Sequence, residues 1–173
     1  MSPGKVKRSH YEYKKNGACC VLLAFEPHPG VRSVEVRARR TAVDYADFRQ
    51  TLLARHYPEA ESIRLVQDNL NTHTPGSFYE VLPPGEAFAL AQRFEPHYTP
   101  KKGSWLNMAE IEFAALSKQC LDRRLPEAEL LRREVLAWAD RRTQEGKTVR
   151  WKFSQDKARE KLHRHYSNVQ KFT

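Results

Sequence analysis

Cysteine is scarce in this chain, with only Cys19, Cys20 and Cys120 among 173 residues and no Cys-x-x-Cys pair, which argues against a disulfide scaffold and a cysteine-based zinc site. Cys19 and Cys20 are sequence neighbours that point to opposite faces of a strand, so a bridge between them would be strained. Buried thiols in a reducing cytosol are the simplest account. Long apolar runs are missing too. The longest, Ala18 to Phe25, is far too short to span a bilayer, and the first residues are Pro, Gly and Lys rather than a signal peptide, so a cytoplasmic protein with no membrane partner is expected. There are no internal repeats or low-complexity tracts, which excludes a solenoid. Negative charge is in short supply. Against 21 Asp plus Glu stand 30 Lys plus Arg, a net charge of +9 and a pI near 9.6. That balance favours a polyanionic partner, nucleic acid foremost, over a surface that merely happens to be basic. The 40% hydrophobic content suffices for one packed domain.

The order of elements follows from pattern and punctuation. Residues 1–17 are basic, with Lys5, Lys7, Arg8, Lys14 and Lys15 beside Pro3 and Gly4, and read as a linker segment. Ala18 to Phe25 reads as a buried strand, ended by Pro27-His28-Pro29-Gly30, and Ser33 to Arg39 as its half-exposed hairpin partner. Thr41 to Tyr57 begins with a Thr-x-x-Asp cap and has apolar residues at near-helical spacing. Ile63 to Val66 is a short buried strand that delivers Asp68 at its end. Thr74-Pro75 starts a helix, Pro83-Pro84-Gly85 breaks it, and Glu86 to Arg93 forms another. Phe94 to Tyr98 suits a strand. Asn107 caps a helix to about Leu121, Glu127 to Arg142 continues after Pro126, Gly146 terminates it, and Ser154 opens a last amphipathic helix. The expected fold is α/β, a mixed sheet with helices packed on it and ligands near the carboxyl ends of strands.

Two acidic residues stand where chemistry is possible. Asp68 ends a strand and Glu110 lies in the first turn of a helix; two carboxylates on rigid elements are what paired Mg²⁺ ions need for attack on a phosphodiester, provided a third completes the cage. Each has a structural alternative. Asp68-Asn69 can form an Asx turn, and Asn107-x-x-Glu110 fits a capping box. Glu110 and Glu112 lie roughly 200° apart around a helix, so at most one faces Asp68. His73 can touch a phosphate or a metal-bound water, or be an ordinary surface histidine. Trp105 reads as a core anchor before a base-stacking residue, and Lys101 and Lys102 as phosphate ligands or solvated lysines. Lys147, Arg150, Lys152, Lys157, Arg159, Lys161 and Arg164, with Trp151 and Tyr166 interleaved, form a backbone-gripping surface or a solvated helix face.

Asp68-Asn69-Leu70-Asn71-Thr72-His73, then His97-Tyr98-Thr99-Pro100-Lys101, then Gly103-Ser104-Trp105-Leu106-Asn107-Met108-Ala109-Glu110-Ile111-Glu112-Phe113 resemble, in order, the catalytic core of insertion-sequence 630 family transposases, of the mariner superfamily of DDE enzymes. Arg39 to Asp44 and Gln119 to Arg124 extend the likeness across most of the chain. The resemblance implies a ribonuclease-H-like fold, dependence on Mg²⁺ or Mn²⁺ with two ions in a complete core, and cleavage and joining of DNA at element ends. Asp68 matches the second catalytic Asp and Glu110 the final acidic residue, both metal ligands; Glu112 falls outside the Leu-Asn-x-x-Glu pattern. Asn69, His73 and Asn107 match supporting positions. The first catalytic Asp of the family sits on a strand upstream of a basic Pro-Gly linker, and neither Glu12 nor Glu26 matches it. The expectation is therefore a core missing its first strand, with exposed sheet edges and no activity in isolation.

The division expected is a linker over 1–17, a partial ribonuclease-H-like core over 18–124, and a basic helical extension of the same domain over 125–173. DNA is the expected partner, with a homodimer or the missing N-terminal part as further candidates. A non-catalytic DNA-binding or transposase-assembly module, relic or inhibitor, is the main alternative, and a general ribonuclease-H-like nuclease a third.

Overall fold

The structure, a computed structural model, describes residues 17–100 and 103–169, with side chains to 161 and that of His163. Strand β1 (Cys20–Glu26) and strand β2 (Val31–Arg37) form the antiparallel hairpin, with Leu23 opposite Val34. Its turn closes through the Gly30 N–H, which donates to the Glu26 carbonyl at 3.0 Å, with Gly30 at φ 71°, the left-handed region open to a residue without Cβ. The expected burial is reversed. Strand β2 buries Arg32, Val34 and Val36 on one face, whereas β1 is half-buried along most of its length; among the described residues its far edge pairs with no strand and lines an open groove.

Helix α1 (Ala42–His56) starts as the sequence pattern predicts: the Asp44 N–H donates to the Thr41 hydroxyl and the Thr41 N–H to the Asp44 carboxylate. These bonds from Thr41 hold Asp44 below the usual carboxylate range. Strand β3 (Ile63–Gln67) pairs in parallel with β4 (Phe94–Tyr98), Val66 beside His97. It too is less buried than expected, since Arg64 and Val66 are exposed. Between these strands the helix expected from Thr74 is a 3-10 turn, Pro75–Glu80, followed by α2 (Pro84–Gln92). Helices α3 (Ala109–Gln119), α4 (Ala128–Gln144) and α5 (Gln155–Val169) complete the chain. Residues 149–153 pair with no strand among the described residues.

Two cores result. Val34 and Val36 of β2 pack with Leu116 of α3 and Val135, Trp138 and Ala139 of α4, so α4 belongs to the same packing unit as the hairpin. Ala46 and Leu53 of α1 pack with Phe78, Ala87 and Phe94 around β3. The sheet is thus divided among the described residues into an antiparallel and a parallel pair. The architecture is mixed α/β with helices flanking both pairs, compatible with a ribonuclease-H-like fold. Of the cysteines only Cys120 is buried, Cys20 is half-buried, and Cys19 is exposed; all three are free thiols.

The strongest polar tie crosses the first core. Glu112 is fully buried and takes Arg32 Nε at 2.5 Å and both Arg142 Nε and Nη2, at 3.2 and 3.1 Å. Arg32 also donates to the carbonyls of Gly30 at 2.5 Å and Lys147 at 2.6 Å. Burial pushes the Glu112 carboxyl up, and the bonds and charges of Arg32 and Arg142 more than offset it, leaving it below its usual value. Because the folded value is depressed, this contribution is present above the unfolded value, about 4.3, and is lost as pH falls through the folded value.

Glu112→Gln leaves the buried Arg32 and the partly buried Arg142 guanidinium groups undercompensated and is expected to cost about 3–5 kcal/mol in urea unfolding; its deficit should shrink as the wild type is acidified below pH 4, and a loss under about 1 kcal/mol would contradict this role. Gly30→Ala is strained by its positive φ, and its Cβ would meet the Lys147 carbonyl oxygen at 2.9 Å. Thermal melts should show a loss of about 1–2 kcal/mol or more, and an unchanged melting temperature would refute the close approach.

Candidate active site

Asp68 follows directly on β3, where the strand leaves its pairing with β4. Its Oδ1 accepts from the Leu70 N–H at 3.3 Å, an Asx-type turn, and lies 2.7 Å from His73 Nδ1. An ionised carboxylate only accepts, so His73 carries its proton on Nδ1. The Asx turn weighed from the sequence is therefore present, and it holds the carboxylate instead of consuming it: the Asp68 side chain remains 42% exposed.

His73 is itself fixed. Its ring stacks on Tyr45 with centroids 4.3 Å apart, and its carbonyl accepts from Gln67 Nε2 at 2.8 Å and from the Tyr98 hydroxyl at 3.0 Å. The Tyr45 hydroxyl donates to Gln67 Oε1. Burial pushes the Tyr45 phenol up to about 12, so it stays a neutral donor. Behind Tyr45, buried Arg49 lies against the rings of Tyr45, Phe78 and Phe94, 4.0 Å from the last. Burial lowers the Arg49 pKa, and among the described residues its Nε has no hydrogen-bond partner. Asn69 turns the other way and donates to the Thr99 carbonyl at 2.5 Å. The motif of residues 68–73 is thereby bonded to that of 97–101 through Tyr98 and Thr99.

Glu110 enters from the third motif. The Asn107 side chain accepts from the Ala109 N–H at 3.0 Å, so Asn107 does serve the start of α3. The reciprocal half of the expected capping box is missing: the helix is capped at Met108, and among the described residues the exposed Glu110 carboxylate takes no hydrogen bond. Glu112, on the opposite side of α3, is the buried partner of Arg32 and Arg142. Both candidate carboxylates line a cavity of about 720 Å³. Asp68, His73, Asn107 and Glu110 all line it, as do β1, β3 and the inner face of α1.

Carboxylate oxygens on rigid elements are the hard donors Mg²⁺ or Mn²⁺ takes, so Asp68 and Glu110 fit such an ion in kind. Among the described residues no group of three or more His, Cys, Asp or Glu is placed to enclose one.

The basic surface is only partly open to a ligand. Arg150, Lys152 and Lys157 are exposed, while Lys161 Nζ lies 4.7 Å from the centre of the Trp105 ring. Trp105 meets Phe153 edge-on at 5.0 Å, and Phe153 meets Trp151 at 6.0 Å, so Trp105 fastens the approach to α5 against the loop that leads to Glu110. Lys101 and Lys102 lie outside the described residues. No described helix is long and apolar enough to cross a membrane.

Tyr45, Gln67 and Arg49 were not anticipated as parts of the site. Gln67 carried a signal, since it shares the face of Ile63 and Leu65 in a strand of period two; a polar residue there must find a buried partner.

Comparison with known proteins gives one family. No curated protein and no solved structure matches the chain. The model of the DDE superfamily endonuclease family matches residues 1–132, which takes in all three motifs and both carboxylates at the cavity. The endonucleases of this superfamily act on DNA and in general use divalent metal ions. By that match, and with an α/β architecture that accords with it, the chain belongs to the DDE superfamily endonuclease family and is a transposase-like nuclease domain.

Proposed function

We propose that the chain is the later part of a transposase catalytic core of the insertion-sequence 630 and mariner type, acting in DNA transposition by metal-dependent phosphodiester cleavage and strand transfer. The observation that carries this reading is that Asp68 and Glu110, on separate elements, both line one cavity within the segment the family model matches. Both are metal ligands in this proposal. A divalent ion bound by them would polarise a phosphodiester and activate water or a 3′-hydroxyl. His73 orients the Asp68 carboxylate from Nδ1, Asn69 ties the turn to Thr99, and Asn107 sets the start of α3 so that Glu110 stays clear of its own backbone. Arg150, Lys152, Lys157 and Lys161, with Lys101 and Lys102, hold the DNA backbone.

Two carboxylates do not complete a two-ion cage, so the chain alone is inactive in this proposal. The active unit includes a further carboxylate from a segment N-terminal to the described core, or from an associated chain. The absence of a three-ligand cluster among the described residues favours one alternative, a non-catalytic DNA-binding or assembly module that occupies DNA or joins the complexes of intact transposase.

The test supplies an N-terminal strand ending in Asp and follows nicking of supercoiled DNA in Mg²⁺. Cleavage is expected only with the strand present, and Asp68→Ala should reduce it by about 10³-fold or more while leaving DNA affinity within twofold of wild type, roughly 0.4 kcal/mol. Cleavage that survives Asp68→Ala would end the catalytic reading; DNA binding with no cleavage under any complementation would favour the assembly module. Replacing Lys152 and Lys161 by Gln should weaken binding to all sequences alike and reduce the salt slope by about 1–2. An unchanged slope would remove these lysines from the interface.

A further inference from the structure

One buried charge in the second core is explained neither by packing nor by the candidate carboxylates. Arg49 is 2% exposed and follows Tyr45 on α1 at the i, i+4 spacing that puts two side chains on one face. Its guanidinium carbon lies 4.0 Å from the centre of the Phe94 ring, 4.2 Å from that of Phe78 and 5.3 Å from that of Tyr45. Arg32 and Arg142 share the Glu112 carboxylate; Arg49 has no such partner among the described residues. The charges it feels belong to the Tyr45 and Tyr98 phenols. Its Nε goes unbonded there, and Nη1 makes one long bond, to the Thr74 carbonyl at 3.4 Å.

The fold gains little from this arrangement. An unpaired charge gives up its hydration with no ion pair to offset the loss. Met, an unbranched side chain whose sulfur makes favourable contacts with aromatic rings, would fill the same space without that cost. The Thr74 carbonyl has no need of Arg49 either, since it already accepts from the Ser77 N–H at 3.2 Å and the Ser77 hydroxyl at 2.8 Å.

What the guanidinium does touch is the support of Asp68, at two points. Thr74 follows His73 directly and ends the loop that Asp68 opens. Tyr45 stacks on the His73 ring at 4.3 Å, and His73 Nδ1 holds Asp68 Oδ1 at 2.7 Å. Oδ1 also accepts from the Leu70 N–H, whereas among the described residues Oδ2 takes no hydrogen bond, so its aim follows from where His73 stands. A planar cation packed on aromatic faces is a stiffer brace for Tyr45 than a flexible thioether.

We infer that Arg49 is a positioning residue for Asp68: from among Tyr45, Phe78 and Phe94 it steadies the Tyr45 ring and the Thr74 end of the loop, and through them the His73 ring that sets the Asp68 carboxylate, at a cost to the stability of the fold. Its consequence for a divalent ion rests on the reading of Asp68 as a ligand; the positioning does not.

The test compares the full chain with Arg49→Met. Exchange of the His73 Nδ1 proton with water, followed by NMR of histidine-labelled protein and identified by its loss in His73→Gln, is expected to be at least about tenfold faster in Arg49→Met. The melting temperature is expected to equal or exceed that of wild type, and Mn²⁺ affinity to fall by about tenfold. A merely structural arginine would lower the melting temperature and leave the Nδ1 proton as it is. The inference is overturned if Arg49→Met melts below wild type, or if the exchange rate rises by less than expected. Faster exchange with Mn²⁺ affinity unchanged would support the positioning and count against Asp68 as a metal ligand.

Discussion

The fold turns on a buried carboxylate. Glu112 carries no solvent exposure and answers two guanidinium groups, one from the start of β2 and one from α4. A charge in such a place costs several kcal/mol in lost hydration, and the pair repays this only when the geometry is good and the remaining donors are used. Here they are used: Arg142 approaches with two nitrogens, and Arg32 spends its others on the carbonyls of Gly30 and Lys147. The hairpin turn, the end of α4 and the middle of α3 are thus bound to one point. This also fixes the rotation of α3. With Glu112 drawn inward, a residue two positions earlier lies roughly 200° away around the helix, and Glu110 is left facing the groove. The structural carboxylate decides where the candidate catalytic one points.

On the other wall the same principle holds through hydrogen bonds and a ring contact. Asp68 is held by a backbone N–H and by His73, and His73 by a ring, an amide and a phenol that belong to α1, β3 and β4. Each member is oriented by the next, so the carboxylate is positioned by elements whose own places are set in the second core. Such preorganisation holds two carboxylates from separate elements on the lining of one cavity. The cavity is bounded by two strand edges, so its shape and the position of the site are aspects of one feature, a sheet divided along its centre.

What the sequence made legible was local. The Thr41 and Asp44 cap, the Pro-His-Pro-Gly turn and the strands bearing Asp68 and Tyr98 depend on neighbours a few residues away, and they stand within a few residues of where the pattern put them. The helical rotation argument separated Glu110 from Glu112 without saying what Glu112 does, because its partners are 80 and 30 residues distant. Arg32 shares the buried face of Val34 and Val36, which in principle marked it as needing a buried anion. The burial of β1 and β3 was overestimated for a physical reason: apolar, β-branched composition reports what a strand is suited to touch, and their outer edges have no strand partner among the described residues. Proline at the start of residues 75–80 was rightly a helix signal, but Pro83 and Pro84 follow too soon for more than a 3-10 turn. The capping box at Asn107 was half present, since a side-chain acceptor there does not require Glu110 to answer it.

The central claim is that Asp68 and Glu110 act as one ligand set. A double-mutant cycle on Mn²⁺ affinity tests it most directly, with Asp68→Asn, Glu110→Gln and the pair, free Mn²⁺ being followed by electron paramagnetic resonance. The account predicts that either substitution weakens binding by about tenfold or more and that the second adds little to the first, the signature of coupled residues. Strictly additive losses, or an affinity indifferent to both, would contradict it.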